Sequence, residues 1–422
     1  MDFIHHPLGD GINLYMYETD KFTTITVKVF VHNSLASDTV AANALIPMIL
    51  VRGTQSYPTS MALAQKMEHL YGSALGADVV KIGERQVLEF YFDMVAPDLL
   101  PDGNQVLLEG LRTFGQLITQ PVLENGMFKQ DYFQQEKTNL GKWVDGLIND
   151  KRSYAIWRAT KIMCADEPFG LYKYGEREQI DQLSLEQVYQ HYRHIMRTSP
   201  IDIFAVGPSL GALPELLRSW PIERAQIATL PEVTIKQHVT PREVQETRDI
   251  QQAVLVMGYR TAQRYTSPDY YALMVANGIL GGYPHSKLFL NVREKASLAY
   301  YVGSSLEGTK GIITVTAGIA LKSYHKTVDI IQEQVSLLQQ GQISDDELER
   351  TKIALISGIQ SMIDNPGSLI DRNLIGLVHN ELRSPKTVIA SINAVTKQQV
   401  QAAAEGIQLD TIYCLSGPRG EN

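Results

Sequence analysis

Hydrolytic zinc chemistry needs two histidines one helical turn apart with a carboxylate beside them, so that both imidazoles and the general base share one helix face. The chain has ten histidines, and none stands in an HExxH or HxxEH array. The nearest pattern is Gln65-Lys66-Met67-Glu68-His69, where glutamine replaces the first histidine; a single His beside a Glu reads as surface helix. His191 and His194 share a helical spacing and read as a solvated helix face. His5 and His6 could hold stray metal but would not build a pocket. Gly281 and Gly282, in GILGGYPHSK, lack both GxxxxGK[ST] and GxGxxG spacing and follow a helix, which excludes a phosphate cradle. The simpler expectation there is a helix-to-helix corner with positive φ at glycine. Cys164 and Cys414 form no CxxC and no disulfide framework.

The surrounding elements are legible from periodicity. FTTITVKVFVHN (22–33) alternates with period two and predicts a strand, Thr39 to Val51 a helix, and 79–95 a hairpin turning near Gly83-Glu84. The stretch 125–150 predicts one long amphipathic helix. Then QQAVLVMGYR (251–260) predicts a strand, 267–281 a helix, 296–320 two strands, and 344–364 a long helix opened by a Ser344/Glu347 capping box. Such mixing, with short hairpins, argues for α+β domains with helices on one face of an antiparallel sheet.

The two halves echo one another. LSLEQVYQHYRHI followed by IDIFAVGP ends the first, and VTKQQVQAAAEGI followed by DTIYCLSGP ends the second; Ser184 and Thr396 are the expected N-caps. Gly207 and Gly417 lie 210 residues apart, the length of a duplicated domain rather than of a solenoid repeat. The expected division is a domain over 1–215, a linker over 216–244 carrying Pro221, Pro231 and Pro241, and a second domain over 245–422.

Of 422 residues, 44% are hydrophobic and 20% charged, with net charge −8. That balance gives no global field for nucleic acid or anionic lipid. No apolar run is long enough to span a bilayer. The start, MDFIHHPLGDGINLY, lacks the basic and apolar regions of a signal peptide, and two cysteines suit a reducing compartment, so a cytoplasmic protein is expected.

The segment ILGGYPHSKLFLNVREKASLAYYVGSSLE carries Leu280-Gly281-Gly282, Ser286 to Phe289, Val292 to Lys295 and Leu298 to Tyr300. It resembles the C-terminal domain of the insulinase/pitrilysin family of zinc metallopeptidases, and in detail the YmfF-like inactive bacterial branch. The resemblance implies two homologous domains over nearly the whole chain. Active members carry HxxEH before a Phe-Lys-Gly-Thr stretch; VRGT (51–54) anchors that stretch here, which puts Ala44, Pro47 and Met48 in place of the two histidines and the base. Alanine and methionine cannot serve as ligands for a hydrolytic zinc, and proline cannot be a base. The distal glutamate lies seven residues after another Glu; counting from Glu136 puts Trp143 there, with Glu124 as an alternative. No metal and no other cofactor is expected.

The same resemblance gives Arg293 and Tyr300 a role. The family's second domain contributes an Arg and a Tyr seven residues apart to substrate held at the zinc. A guanidinium offers charge-assisted donors to a backbone carbonyl, and a phenol a hydroxyl near a developing oxyanion. The structural alternative is Arg293 paired with Glu294 or another surface acid, and Tyr300 packed in a strand. The resemblance thus implies a non-catalytic, peptide-binding subunit that joins a zinc-bearing paralogous peptidase in a heterodimer closing around unfolded peptide. A different reading is a non-enzymatic scaffold or regulatory protein, linked through the YmfF-like branch to modification of elongation factor P.

Overall fold

The β-branched runs and their turns build two sheets in the computed structural model, which describes residues 3–236 and 239–418. Residues 237–238, inside the expected linker, and 1–2 and 419–422, at the ends of the expected domains, lie outside the described residues.

The first sheet comprises β1 (Ile4–Gly9), β2 (Ile12–Glu18), β3 (Thr24–Ser34), β4 (Ala74–Ile82), β5 (Arg85–Val95) and β8 (Ile201–Gly207), with β6 (Leu123–Glu124) and β7 (Met127–Phe128) as a separate small hairpin. Its order is β1-β2-β8-β3-β5-β4, with β2 and β8 parallel and the other pairs antiparallel. The second sheet runs β11-β12-β10-β13-β9, from β9 (Arg242–Thr247), β10 (Ala253–Arg260), β11 (Ala299–Glu307), β12 (Ile312–Ile319) and β13 (Gln408–Ser416). Here β9 and β13 are the parallel pair. Taken from the opposite end, β9-β13-β10-β12-β11 matches β2-β8-β3-β5-β4 in order and direction. The duplication is therefore written in topology as well as in the two Gly-Pro endings.

The helices are α1 (Val40–Leu50), α2 (Ser60–His69), α3 (Gly103–Thr119), α4 (Gln130–Gly146), α5 (Lys151–Met163), α6 (Arg177–Gln182), α7 (Leu185–Thr198) and α8 (Leu213–Arg218), then α9 (Tyr270–Asn277), α10 (Tyr324–Gln339), α11 (Asp345–Ile363), α12 (Pro366–Val378), α13 (Pro385–Ala394) and α14 (Lys397–Glu405). Ser184 with Gln187, Ser344 with Glu347 and Thr396 with Gln399 each close a reciprocal capping box, which satisfies two orphan N–H groups at the start of α7, α11 and α14. None of the helices is long and apolar enough to cross a membrane among the described residues.

Each unit has its own core. In the first, Val27, Val29, Leu88 and Phe90 of the sheet meet Leu45, Ile49, Leu111 and Val188 of the helices. In the second, Leu255, Met257, Val315 and Ile412 meet Leu273, Ile331, Val388 and Val400. Burying each such side chain contributes about 1.5–3 kcal/mol.

Several expectations need correction. By contact the chain divides into compact units 1–145 with 171–232 and 365–374, and 146–170 with 233–364 and 375–422, beside the expected sequence domains 1–215 and 245–422. Helix α5 belongs to the second unit: Tyr154, Ala155 and Ala159 pack on Val254, Val256, Tyr413 and Leu415, so the second sheet is covered on both faces. The expected linker 216–244 contains the end of α8 and the start of β9. The single helix expected over 125–150 begins only at Gln130, because Asn125 and Gly126, both at positive φ, turn the β6–β7 hairpin.

Candidate functional site

The positions that the VRGT anchor assigns to the motif, Ala44, Pro47 and Met48, lie on α1, whose side chains are all buried except that of the partly buried Met48. Ala44 is packed in the core, and Pro47 sits inside the helix, where it removes one N–H. The helix nevertheless runs on, since Val51 N donates to the Pro47 carbonyl at 3.1 Å. One residue before the motif, Asn43 anchors a buried polar knot. Its Nδ2 donates to Gln86 Oε1 at 2.9 Å, and its Oδ1 accepts from His191 Nε2 at 2.8 Å. Burial, aided by His194, pushes the His191 imidazole down to about 4, so it is neutral near pH 7. The sequence reading of His191 as a solvated surface residue is therefore corrected: α7 turns it inward to Asn43, while His194 stays exposed.

The distal positions have other engagements. Glu136 on α4 is buried and pairs with Arg52 at 2.9 Å, while Asn139 donates to its other oxygen at 3.1 Å. Trp143 is 57% exposed and meets Tyr174 edge-on, ring centroids 6.1 Å apart. Glu124 is exposed on the β6 strand. His69 bonds its own helix at Gln65 O, and His5 bonds Asn13. No group of three or more His, Cys, Asp or Glu is placed to hold a metal among the described residues. The donor set at 44, 47, 48 and 143 does not fit a zinc ion.

The second unit carries a different set. After α9 the chain continues into a π-helical stretch, Gly278–Gly282, and a second one, Phe289–Lys295, ends in Arg293 and Lys295. Neither Gly281 nor Gly282 has positive φ, which corrects the expected turn. Gly281 is needed for close approach: a Cβ there would fall 2.7 Å from the Ser304 nitrogen of β11. This contact fixes the π-helical stretch against the strand that carries Tyr300. Wide π turns recur at functional sites because they re-aim side chains without breaking the helix.

Arg293 lies over the Phe289 ring at 4.7 Å and 3.8 Å from Glu294, with 44% of its side chain exposed. An exposed pair at that separation contributes little. Tyr300 falls in the irregularity where β11 and β12 shift register between Ala299 and Tyr301, and it is 71% exposed. A bulge there points Tyr300 to solvent. Its neighbour Tyr301 lies half-buried under the Arg152 guanidinium of α5, at 5.1 Å. The strand reading did not foresee the bulge or the π turns; the glycines in GILGG were the available signal.

Comparison with known proteins points one way. The family described as the peptidase M16 inactive domain matches residues 182–355. A Bacillus subtilis protein described as the probable inactive metalloprotease YmfF is 34% identical over 97% of both chains. The uncharacterized zinc protease YmxG of the same organism is 28% identical over 41% of this chain and 43% of its own. Among solved structures, a conserved protein from Enterococcus faecalis V583 superposes with a TM-score of 0.91 at 28% identity, over the full length of both.

Proposed function

Because this chain belongs to the peptidase M16 (insulinase/pitrilysin) family, as an inactive homologue whose motif positions are Ala44, Pro47 and Met48, we propose that it is the non-catalytic subunit of a cytoplasmic zinc-peptidase heterodimer. Its part is to bind unfolded peptide and to offer Arg293 and Tyr300 to the site of a zinc-bearing paralogue. The observation that carries this reading is the exposure of Tyr300 on its bulge, with Arg293 half-exposed on the π-helical stretch before it. A tyrosine that served packing would be covered, and an arginine that served stability would have a close carboxylate partner. Zinc-protease relatives such as YmxG are the kind of partner the reading calls for.

The test is co-purification with the organism's own zinc-bearing M16 protein, followed by metal analysis of each chain. One zinc on the partner, none here, and a one-to-one complex are expected. Recovery of this chain alone, or of a complex whose peptide turnover equals that of the partner by itself, would favour the scaffold reading instead.

A further inference from the structure

In the first unit, Arg112, Gln116 and Gln120 follow one another at four-residue spacing, so they lie along one face of α3 and its C-terminal cap. Trp220, two residues after α8, closes over the neighbouring face. Its indole rests on Gly115, where a Cβ would fall 2.5 Å from the ring nitrogen, and it meets Phe114 edge-on with centroids 5.9 Å apart. The Trp220 and Ile222 amides donate to the Leu217 and Trp220 carbonyls at 3.2 and 2.8 Å, which holds the segment in place. The indole is therefore a fixed apolar floor with a polar edge. With Leu108, Leu111 and Leu216 these residues line a cavity of about 310 Å³. That volume is at the small end of ligand sites, yet ample for one ring, since a cavity of about 150 Å³ takes up benzene.

The polar groups of the cavity are open. Among the described residues, the Arg112 guanidinium, the Gln116 and Gln120 side-chain amides and the Trp220 N–H make no hydrogen bond or ion pair. None of them is a buried orphan, so a ligand can reach each. Glu109, the acid one turn before Arg112, is engaged elsewhere: its oxygens accept from Lys66 at 2.5 Å and from Gln105 at 3.2 Å. Of the described residues lining the cavity, Arg112 alone is charged. A cation would meet like charge there, and a neutral ligand would leave the guanidinium unmatched. The C-terminal end of α3, at Gln120, disfavours an anion, so a carboxylate belongs on Arg112, about two turns earlier.

We propose that this cavity binds a small monocarboxylate with an aromatic or branched apolar body, its carboxylate on Arg112 and its body on the Trp220 indole. The site lies within the first unit and rests on no partner subunit. Free acids and the C-terminal residue of a peptide share this chemistry, and the experiment separates them. The full chain is titrated calorimetrically with phenylacetate, 3-methylbutanoate and N-acetylphenylalanine, and with acetate and phenethylamine as probes lacking the body or the negative charge. At least one of the first three binds, and acetate and phenethylamine bind at least about tenfold more weakly. N-acetylphenylalanine binding more tightly than phenylacetate assigns the site to peptide C-termini, and the reverse order assigns it to free acids. Arg112→Gln, at an exposed position, weakens binding about tenfold or more with the melting temperature unchanged. The ligand alters tryptophan emission in the wild type and not in Trp220→Phe. The proposal is overturned if no apolar carboxylate binds at roughly 10 mM, weaker than ordinary metabolite affinities. It is equally overturned if phenethylamine binds as tightly as phenylacetate, if Arg112→Gln binds like the wild type, or if the emission change persists in Trp220→Phe.

Discussion

The Glu167 carboxylate receives both terminal nitrogens of Arg260, at 2.6 and 3.2 Å, in a buried cluster that also holds Lys310 at 2.7 Å. Asp410 takes the Arg260 Nε at 3.0 Å, and the Met163 carbonyl takes Nη2 at 2.9 Å. Glu167 and Met163 come from the segment around α5, while Arg260, Lys310 and Asp410 belong to the second sheet and its loops. The cluster fastens an early part of the chain to a sheet formed much later in sequence. Breaking a buried pair from one side strands a charge, so Glu167→Ala should cost about 3–5 kcal/mol in urea denaturation. In hydrogen exchange, the α5 amides of Ala155 and Ala159 should be protected to the level of β10. A loss below about 1 kcal/mol, the level of an exposed pair, would show the cluster to be incidental.

Acid should destabilise the fold in part through Glu246. Burial opposes its charge, but the hydroxyls of Tyr154 and Tyr413 and the cations Arg248 and Arg158 outweigh that and pull its carboxyl down from 4.5 to about 2. A depressed carboxylate stabilises the fold fully above its unfolded value and loses that contribution as pH falls through the folded one. Glu167 moves in the same direction: burial again opposes its charge, and Arg260 and Lys310 prevail. The stability gap between wild type and Glu246→Gln, measured by denaturant titration at each pH, should therefore shrink as pH falls from 4.5 towards 2. A gap independent of pH in that window would contradict the assignment.

Gly281→Ala should be destabilising, because its Cβ would press to 2.7 Å on the Ser304 backbone, which cannot give way as a flexible side chain could. The expected loss is about 1–3 kcal/mol in thermal or chemical unfolding. An unchanged melting temperature would mean that β11 and the π-helical stretch are loosely joined.

Rebuilding the zinc motif as Ala44→His, Pro47→Glu and Met48→His should not create a peptidase. Ala44 and Pro47 are buried, so the new His and Glu would be thrust into an apolar core, at a cost of several kcal/mol. The distal ligand would still be missing, since Glu136 is held by Arg52 and position 143 is an exposed indole. The expected result is a lower melting temperature, no stoichiometric zinc by mass spectrometry and no chelator-sensitive hydrolysis. Restored turnover would show the ligand set to be less degraded than the geometry implies.

Local signals carried the fold a long way. Ser184 and Thr396 before their amphipathic runs, Ser344 with Glu347, and the turn at Gly83 each fix an element through contacts within a few residues. What stayed hidden depends on distant partners. The sequence of α5 says that Tyr154, Ala155 and Ala159 form an apolar face, but not which sheet receives it. The strand REVQET is polar apart from Val244, and its first half reads as linker until β13 pairs with it. His191 looked like surface because its partner, Asn43, lies 148 residues away. At the candidate site, the absence of any HxxEH array was legible in the sequence, while its assignment to Ala44, Pro47 and Met48 rests on the VRGT anchor of the resemblance. The register shift between β11 and β12 at Tyr300 was not legible.

The most direct test of the account is peptide turnover by the zinc-bearing paralogue in the presence of this chain, as wild type, Arg293→Ala or Tyr300→Phe. Both side chains are exposed, so melting temperatures should barely move, with stability changes of about 0.5 kcal/mol or less. Turnover should require this chain and should fall about tenfold to a thousandfold with either variant, the range for losing one oxyanion-type donor. Turnover that is indifferent to both variants while the complex still forms would contradict a site-completing role.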